Sequence, residues 1–196
     1  MIGIVNYGAG NIFSLTAALD RIQVEHGMIN TQEDFDKYSH IIIPGVGHAG
    51  AAMKKLQDTG LVDTILALQK PVLGICVGMQ LMTSFSEEGN ADMLHIFPVK
   101  TLHFDKRISS KVPHMGWNSV RVENNSPLFT DIADNSYFYF VHSYFIEREE
   151  SIVAATCSYD LDFAAAFQKN NFYGVQFHPE KSGKFGEQLL LNFSRF

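Results

Sequence analysis

The sequence has few of the residues that mark metal-binding and membrane proteins. Its 196 residues include 2 cysteines, Cys76 and Cys157, which lie too far apart to form a metal-binding pattern. No apolar run approaches the ~20 residues that cross a bilayer, and no charged-then-apolar leader opens the chain. These absences predict a cytoplasmic protein that needs no membrane, no metal and no cofactor.

Basic residues are also scarce. The chain has 15 Lys and Arg against 21 Asp and Glu, a formal net charge of −6, and no basic cluster. Because nucleic-acid binding relies on concentrated positive charge, we expect no nucleic-acid partner. Hydrophobic residues make up 46% of the chain, enough for one sizeable core. We therefore expect residues 1–196 to form a single domain.

The chain does contain a cysteine between two glycines at the end of an apolar run. Residues 71–75 read as a buried parallel strand, and apolar residues recur at helical spacing over 81–85. Cys76 therefore lies where strand becomes helix, with Gly74 and Gly78 two residues to either side. This is the spacing of a nucleophile elbow with Cys in place of Ser, whose sharp turn leaves no room for a Cβ atom at either glycine.

The predicted helix after Cys76 favours the reactive form of that cysteine. A helix N-terminus stabilises negative charge, and so it lowers the thiol pKa from the value of about 8.5 for a free cysteine. The alternative is a buried structural cysteine at the end of a core strand. Cys76 alone does not decide between these two interpretations.

The segment 174–180 contains a candidate base. Apolar and polar residues alternate there as in a strand, and Pro179 should prevent a helix and keep His178 extended. Side chains two residues apart share a face of an extended segment, so Glu180 can orient His178. A base held by a carboxylate is what a cysteine nucleophile needs, although a surface His-Pro-Glu turn is the alternative. The two segments together favour cysteine-dependent hydrolysis.

The first half of the chain alternates between strand and helix patterns. Such alternation predicts a parallel sheet with right-handed crossovers, in which ligands bind at the carboxyl ends of the strands. The glycine-rich loop 44–47 and Cys76 then lie on the same edge of the sheet. A backbone N–H of that loop, beside the N–H of Val77, can face an oxyanion; the alternative is an ordinary tight turn. The predicted strands are 2–6, 24–30, 40–43 and 71–75, and the predicted helices are 12–22, 49–56 and 61–68.

The second half is predicted to be largely β. Hairpin turns are expected at 123–125 and near 170–171, and a terminal helix at 186–196. The fold class is therefore α/β, with a mostly parallel central sheet flanked by helices and additional antiparallel strands in the second half. The predicted strands of this half include 120–122, 137–145, 152–156 and 163–167.

Two motifs resemble those of the class I, triad-type glutamine amidotransferases. They are the cysteine elbow at 74–80 and the Gln-Phe-His-Pro-Glu run at 176–180. Within that family the chain is similar to the glutaminase subunits of imidazole glycerol phosphate synthase, which serve histidine biosynthesis. The resemblance covers nearly the whole chain and implies a flavodoxin-like α/β fold. The segments similar to this branch are 44–47, 86–89, 111–118, 139–144 and 178–182. Of these, 111–118, read together with 78–80, narrows the resemblance to the branch.

The resemblance implies a mechanism. Cys76 would attack the side-chain amide of glutamine, form a γ-glutamyl thioester and release ammonia. His178 would act as base and then as acid, with Glu180 orienting it. Backbone N–H groups of Val77 and near Gly47 would bind the oxyanion. The residues implied to hold glutamine are Gln80, Glu88, Ser143, Tyr144 and Phe145.

The resemblance also implies a partner. A separate (β/α)8-barrel cyclase would form a heterodimer with this chain and receive the ammonia. Asn11, Tyr139 and Lys181 would face it. Trp117 and His142 would shape the site or the interface, and core packing is an equal alternative for Trp117.

Two positions depart from the family pattern. His95 stands where glycine is expected, and Ala49 and Gly50 stand where a bulkier residue is common. Both leave open a paralogue of another pathway, such as amidation of a bacterial surface sugar with a related barrel. Two further alternatives are a stand-alone hydrolase of γ-glutamyl compounds and a non-enzymatic binding module. The intact Cys76, His178 and Glu180 speak against the binding module.

Overall fold

The computed structural model describes residues 1–105 and 107–196. Its strands within these ranges belong to two sheets and are numbered along the chain. They are β1 (Ile2–Val5), β2 (His26–Ile29), β3 (His40–Ile43), β4 (Val72–Ile75), β5 (Phe85–Ser86), β6 (Ala91–Asp92), β7 (Lys100–His103), β8 (His114–Val122), β9 (Ser136–His142), β10 (Tyr144–Ile146), β11 (Val153–Tyr159), β12 (Leu161–Lys169) and β13 (Phe172–Val175).

Helices separate the early strands and close the chain. The described α-helices are α1 (Ile12–Arg21), α2 (Ala49–Asp58), α3 (Val62–Ala67), α4 (Val77–Leu81) and α5 (Gly183–Phe193). Short 3₁₀ turns occur at Glu33–Lys37, Pro127–Phe129 and Pro179–Lys181. In the part of the chain that the structure describes, no helix is both long enough and apolar enough to cross a membrane.

The larger sheet has nine strands in the order β2-β1-β3-β4-β13-β12-β11-β8-β9. The first five are parallel to one another. The alternating pattern predicts this for β1 to β4, whereas the parallel pairing of β13, from the second half of the chain, was not predicted. Every residue of β1, β3, β4 and β13 is buried, which explains their continuous apolar sequences. Asn11 caps α1 by accepting a hydrogen bond from the Ser14 backbone N–H at 3.3 Å. The α/β fold class is confirmed, with a mixed central sheet.

The remaining four strands of this sheet are antiparallel, and a smaller sheet has the order β10-β7-β5-β6. The hairpin predicted near 170–171 joins β12 to β13 and is confirmed. The hairpin predicted at 123–125 is wrong, because β8 and β9 are joined through 123–135. Leu128 and Phe129 in that connection are buried, so the connection packs against the core and is longer than a hairpin turn. The strand predicted over 137–145 breaks at Ser143 into β9 and β10.

Two details near the motifs also differ from expectation. The helix after Cys76 ends at Leu81, because the Thr83 hydroxyl bonds to the Gln80 carbonyl at 2.7 Å and the chain then turns into β5. At the second motif Pro179 begins a 3₁₀ turn, for which its fixed φ and missing N–H are well suited. His178 itself is extended, with φ −100° and ψ 95°, as predicted.

Candidate active site

Cys76 sits in a strained turn between β4 and α4. Its φ is 53° and its ψ is −111°, a conformation that residues with a Cβ atom rarely adopt. A Cβ atom on Gly74 would lie 2.7 Å from the Gly78 carbonyl, and one on Gly78 would overlap the carbonyl oxygen of Ile43. The turn therefore requires both glycines, as the elbow spacing predicts.

His178 and Glu180 form a buried pair beside this turn. Nδ1 of His178 lies 2.8 Å from Oε1 of Glu180, and their side chains are 2% and 4% exposed. Because a carboxylate only accepts, His178 donates through Nδ1. Its Nε2 atom has no hydrogen-bond partner within residues 1–105 and 107–196. Nε2 is thus the ring nitrogen available for chemistry.

The electrostatics of His178 favour its protonated form. Burial opposes protonation of His178, but interaction with the Cys76 and Glu180 side chains prevails and raises its pKa to about 10. His178 therefore holds its proton beside Cys76, the arrangement in which an imidazolium activates a cysteine nucleophile. Nε2 lacks a hydrogen bond of normal geometry to Sγ, and such catalytic contacts commonly tighten only when substrate binds.

Cys76 and His178 open into one cavity of about 710 Å³. A concave pocket of this size suits a small-molecule substrate. It brings together most of the predicted glutamine-binding residues, namely Gly47, Val77, Gln80, Glu88, Ser143 and Tyr144. The other described residues that line it are Gly10, Asn11, Val46, Pro113, Val141, His142 and Lys181.

Phe145 is not among the described residues that line this cavity. Its side chain is 5% exposed and stacks on Phe104, with ring centroids 4.8 Å apart. Glu88 lines the cavity and also accepts a 2.6 Å hydrogen bond from the backbone N–H of Ala49, the first residue of α2. One predicted binding residue thus packs in the core, and another also anchors a helix.

Gln176 contacts the nucleophile and is missing from the sequence prediction. Its Nε2 lies 3.7 Å from Sγ of Cys76, and its Oε1 accepts a 3.0 Å hydrogen bond from Gln80. The side chain is completely buried. The sequence could have indicated this contact, because Gln176 alternates with the neighbouring apolar residues. That alternation places Gln176 on the same face as His178.

The loop after β3 packs against the elbow. A Cβ atom on Gly45 would overlap the backbone nitrogen of Gly78, and Gly47 has a φ of +88°. The Tyr7 hydroxyl donates to the Pro44 carbonyl at 2.6 Å and holds the start of the loop. Burial and the charge of Cys76 raise the pKa of Tyr7, so this hydroxyl keeps its proton.

An aromatic surface adjoins the cavity. Trp117 lies directly opposite Tyr139 in the β8–β9 pair, with ring centroids 6.1 Å apart and edge-on. Nζ of Lys181, a cavity-lining residue, lies 5.9 Å from the centre of the Tyr139 ring. Trp117 is 55% exposed, so core packing is wrong as its explanation. Met115 and Tyr137 are also exposed, and the register puts them on the same face.

The two departures from the family pattern have local explanations. His95 has a φ of 55°, in the left-handed region where glycine is normally favoured. A Cβ atom on Gly50 would lie 3.1 Å from the Glu88 carbonyl oxygen, so a small residue fits there. Neither position lines the cavity among the described residues. No group of three or more His, Cys, Asp or Glu in the described ranges could hold a metal ion.

Comparison with known proteins identifies the relatives of this sequence. The family model for class I glutamine amidotransferases matches residues 4–195. The imidazole glycerol phosphate synthase subunit HisH of Pasteurella multocida is 47% identical over 98% of this chain and 96% of its own length. The same subunit of Haemophilus influenzae is 48% identical over equal shares. The solved structure of PurLQS from Thermotoga maritima contains a chain with the same fold, with a TM-score of 0.74 and 18% identity over 98% of this chain and 96% of that one.

Proposed function

The chain belongs to the class I glutamine amidotransferase family, and we infer that it is the glutaminase subunit of an imidazole glycerol phosphate synthase. The single observation that carries the chemistry is the strained Cys76 turn beside the buried His178–Glu180 pair, in one cavity. The subunit assignment rests on relatives that match this chain over nearly its full length. The span of the family model, 4–195, supports one amidotransferase domain.

The first half-reaction makes a thioester. The Cys76 thiolate attacks the side-chain carbonyl carbon of glutamine, and the carbonyl electron pair moves to oxygen. The backbone N–H groups of Val77 and the Gly47 loop stabilise that oxyanion. His178 donates its Nε2 proton to the leaving nitrogen, so that ammonia departs as the C–N bond breaks.

The second half-reaction restores the enzyme. Neutral His178 takes a proton from water, which attacks the thioester carbonyl and displaces the Cys76 thiolate as glutamate forms. Glu180 stabilises the imidazolium in both halves and keeps the proton on Nδ1. The stoichiometry is one glutamine and one water giving one glutamate and one ammonia.

The Gly45–Gly47 loop is proposed to gate this chemistry. Gly45 is locked against the elbow, whereas Val46 and Gly47 are exposed at the cavity. The peptide between Val46 and Gly47 can therefore rotate its N–H toward or away from the oxyanion. Losing one such donor typically costs ~10²–10³ in rate, so rotation acts as a switch. Docking of a partner then raises kcat more than it changes KM.

The partner surface is proposed to be the aromatic face around Trp117 and Tyr139. Exposed aromatic residues mark protein interfaces, and Lys181 connects this face to the cavity. Asn11 lines the cavity at the start of α1. A (β/α)8-barrel cyclase docked on this face receives ammonia directly from the cavity. A heterodimer of this kind in the cytoplasm is the assembly that we propose.

The test separates ammonia production from ammonia use. Cys76→Ala in complex with the barrel cyclase should lose glutamine-dependent synthesis completely and retain synthesis driven by added ammonium salt. Cys157→Ala is the matched control and should retain both activities. Loss of the ammonium-driven reaction in an assembled Cys76→Ala complex contradicts the proposed division of labour.

The interface has its own test. Trp117→Ala should weaken cyclase binding at least about tenfold, as expected for an aromatic anchor. Leu66→Ala removes another exposed apolar side chain, on α3, and should leave binding unchanged.

Full glutaminase activity without any partner would instead favour the stand-alone hydrolase. Activation by a barrel of another pathway would favour the paralogue.

A further inference from the structure

A line of three polar side chains runs behind the wall of the glutamine cavity. Nδ1 of His142 lies 2.6 Å from the carbonyl oxygen of Tyr144, and Nε2 of His142 lies 2.9 Å from Nδ1 of His114. Nε2 of His114 in turn lies 3.2 Å from Nδ2 of Asn118. His114 and His142 are register partners on the inner face of the β8–β9 pair, opposite to the face that exposes Trp117.

The protons along this line have one consistent arrangement. The Tyr144 carbonyl only accepts, so the Nδ1 atom of His142 carries a proton. In neutral His142 the Nε2 atom is then an acceptor, and His114 must donate to it through Nδ1. That leaves Nε2 of His114 to accept from the amide of Asn118. Both histidines are thereby fixed as Nδ1–H tautomers.

Asn118 anchors the far end of the line. Its Nδ2 also donates to the Ser158 carbonyl at 3.0 Å, and its Oδ1 accepts from the Ser119 backbone N–H at 2.8 Å. These two contacts determine which end of the amide faces His114. The direction of the hydrogen bonds is therefore set by backbone groups at both ends.

The environment keeps both histidines neutral. Each is at most 6% exposed, and His114 stacks on the Tyr159 ring with centroids 4.2 Å apart. Burial lowers the pKa of His114 to about 4. Burial also lowers the pKa of His142 to about 3, against the opposing hydrogen bond to Tyr144. Neither ring carries a charge near neutral pH.

The line is suited to positioning rather than to proton transfer. His142 lines the cavity, but both of its ring nitrogens are already engaged by protein atoms. It has neither a free lone pair nor a free proton to offer to a substrate. What it does hold is the Tyr144 carbonyl, and Ser143 and Tyr144 both line the cavity. Ser143 connects β9 to β10, and Tyr144 begins β10, where the chain passes from one sheet to the other.

We propose that the Asn118–His114–His142 line fixes the Ser143–Tyr144 wall of the cavity in the geometry that binds glutamine. The inference rests on the proposed glutaminase function. His114 and Asn118 act through His142 and are positioning residues. Loss of a hydrogen bond in this line should weaken glutamine binding and leave the rate of the Cys76 chemistry nearly unchanged.

The kinetic test uses two variants at one position, assayed in the complex with the barrel cyclase. His114→Phe keeps an aromatic ring against Tyr159 but leaves Nε2 of His142 without a donor. An unsatisfied buried acceptor disfavours the geometry that leaves it unpaired, so KM for glutamine should rise about tenfold with kcat within about twofold. His114→Asn places an amide N–H near the lost Nδ1 and should recover most of the KM. Tyr159→Phe keeps the stacked ring and should behave as the wild type.

The tautomers can be measured without any activity. Nitrogen-15 NMR of histidine-labelled protein should show Nδ1–H forms for both His114 and His142. An Nε2–H form of His142, or an unchanged KM in folded His114→Phe, overturns the positioning role. A wild-type complex that hydrolyses no glutamine overturns the proposed function instead, and the tautomer measurement still decides whether the line exists.

Discussion

Gly45 and Gly78 touch through their backbones, because a Cβ atom on Gly45 would overlap the amide nitrogen of Gly78. The two residues belong to different loop–helix junctions, one after β3 and the other in the first turn of α4. Their contact brings the two candidate oxyanion-binding segments together next to the Cys76 turn. One close contact between two backbones therefore places the candidate oxyanion-binding N–H groups next to the nucleophile.

This contact predicts the effect of a methyl group. Gly45→Ala must displace the loop from the elbow, and kcat of the complex should fall at least ~100-fold, the cost of a lost oxyanion donor. Gly60→Ala is the control, since Gly60 has a φ of +71° but no described atom within 4 Å of its Cβ position. It should lose some stability and no activity. Near-normal kcat in Gly45→Ala contradicts the assignment of the loop.

The strain at Cys76 should be visible in stability. Glycine tolerates the φ of 53° that alanine does not, and such strain costs ~1–3 kcal/mol. Part of this gain is offset because glycine loses more backbone entropy on folding than alanine does. The free energy of unfolding measured in urea should therefore be about 1 kcal/mol higher for Cys76→Gly than for Cys76→Ala. At Cys157, in the regular strand β11, the order should reverse. The same order at both positions would argue against strain at the elbow.

His178 should lose part of its basicity when either neighbour changes. The Cys76 and Glu180 side chains both raise its pKa, against the effect of burial. Cys76→Ala and Glu180→Gln should therefore each lower the pKa of His178 from about 10, as measured by NMR titration. Cys157→Ala should leave the titration unchanged. If His178 titrates identically in all four proteins, the proposed ion pair with Cys76 is wrong.

The buried histidine pair should make the protein sensitive to acid. Unfolded histidine has a pKa of about 6.5, whereas the pKa is about 4 for His114 and about 3 for His142. As pH falls below about 6.5, the unfolded state binds protons that the folded state excludes, so the free energy of unfolding falls. This loss continues down to the folded pKa values.

His114→Phe removes one of these titrating groups. Near pH 5, the slope of the free energy of unfolding against pH, measured in urea, should decrease by ~1.4 kcal/mol per pH unit. This decrease corresponds to about one proton fewer bound on unfolding. An unaltered slope in His114→Phe would mean that this ring is charged in the folded protein.

The sequence is most informative where local pattern and local chemistry coincide. The parallel strands are continuous apolar runs, the elbow needs glycines at fixed spacing, and His178 and Glu180 are two residues apart. Each of these features depends on neighbours in the chain. The His178–Glu180 hydrogen bond could therefore be predicted before the fold was known.

Features that depend on distant partners could not be predicted in this way. Gln176 reaches Cys76 across 100 positions, and Phe145 packs on Phe104 in a different strand connection. The connection 123–135 contains turn-forming residues at its start, but buried Leu128 and Phe129 extend it into the core. Tertiary packing decided these positions. The local pattern indicates only that Gln176 lies on the same face as His178, and it does not indicate which distant residue Gln176 contacts.

The central claim is that Cys76 forms a γ-glutamyl thioester, and acid quenching during turnover tests it directly. Burial raises the pKa of Cys157 to about 12, so that residue should stay an unreactive thiol. Mass spectrometry of the complex, quenched while glutamine is in excess, should find one adduct with the mass of a γ-glutamyl group, on Cys76. Cys76→Ala should show none. An adduct on Cys157, or steady hydrolysis by Cys76→Ala, would contradict the account.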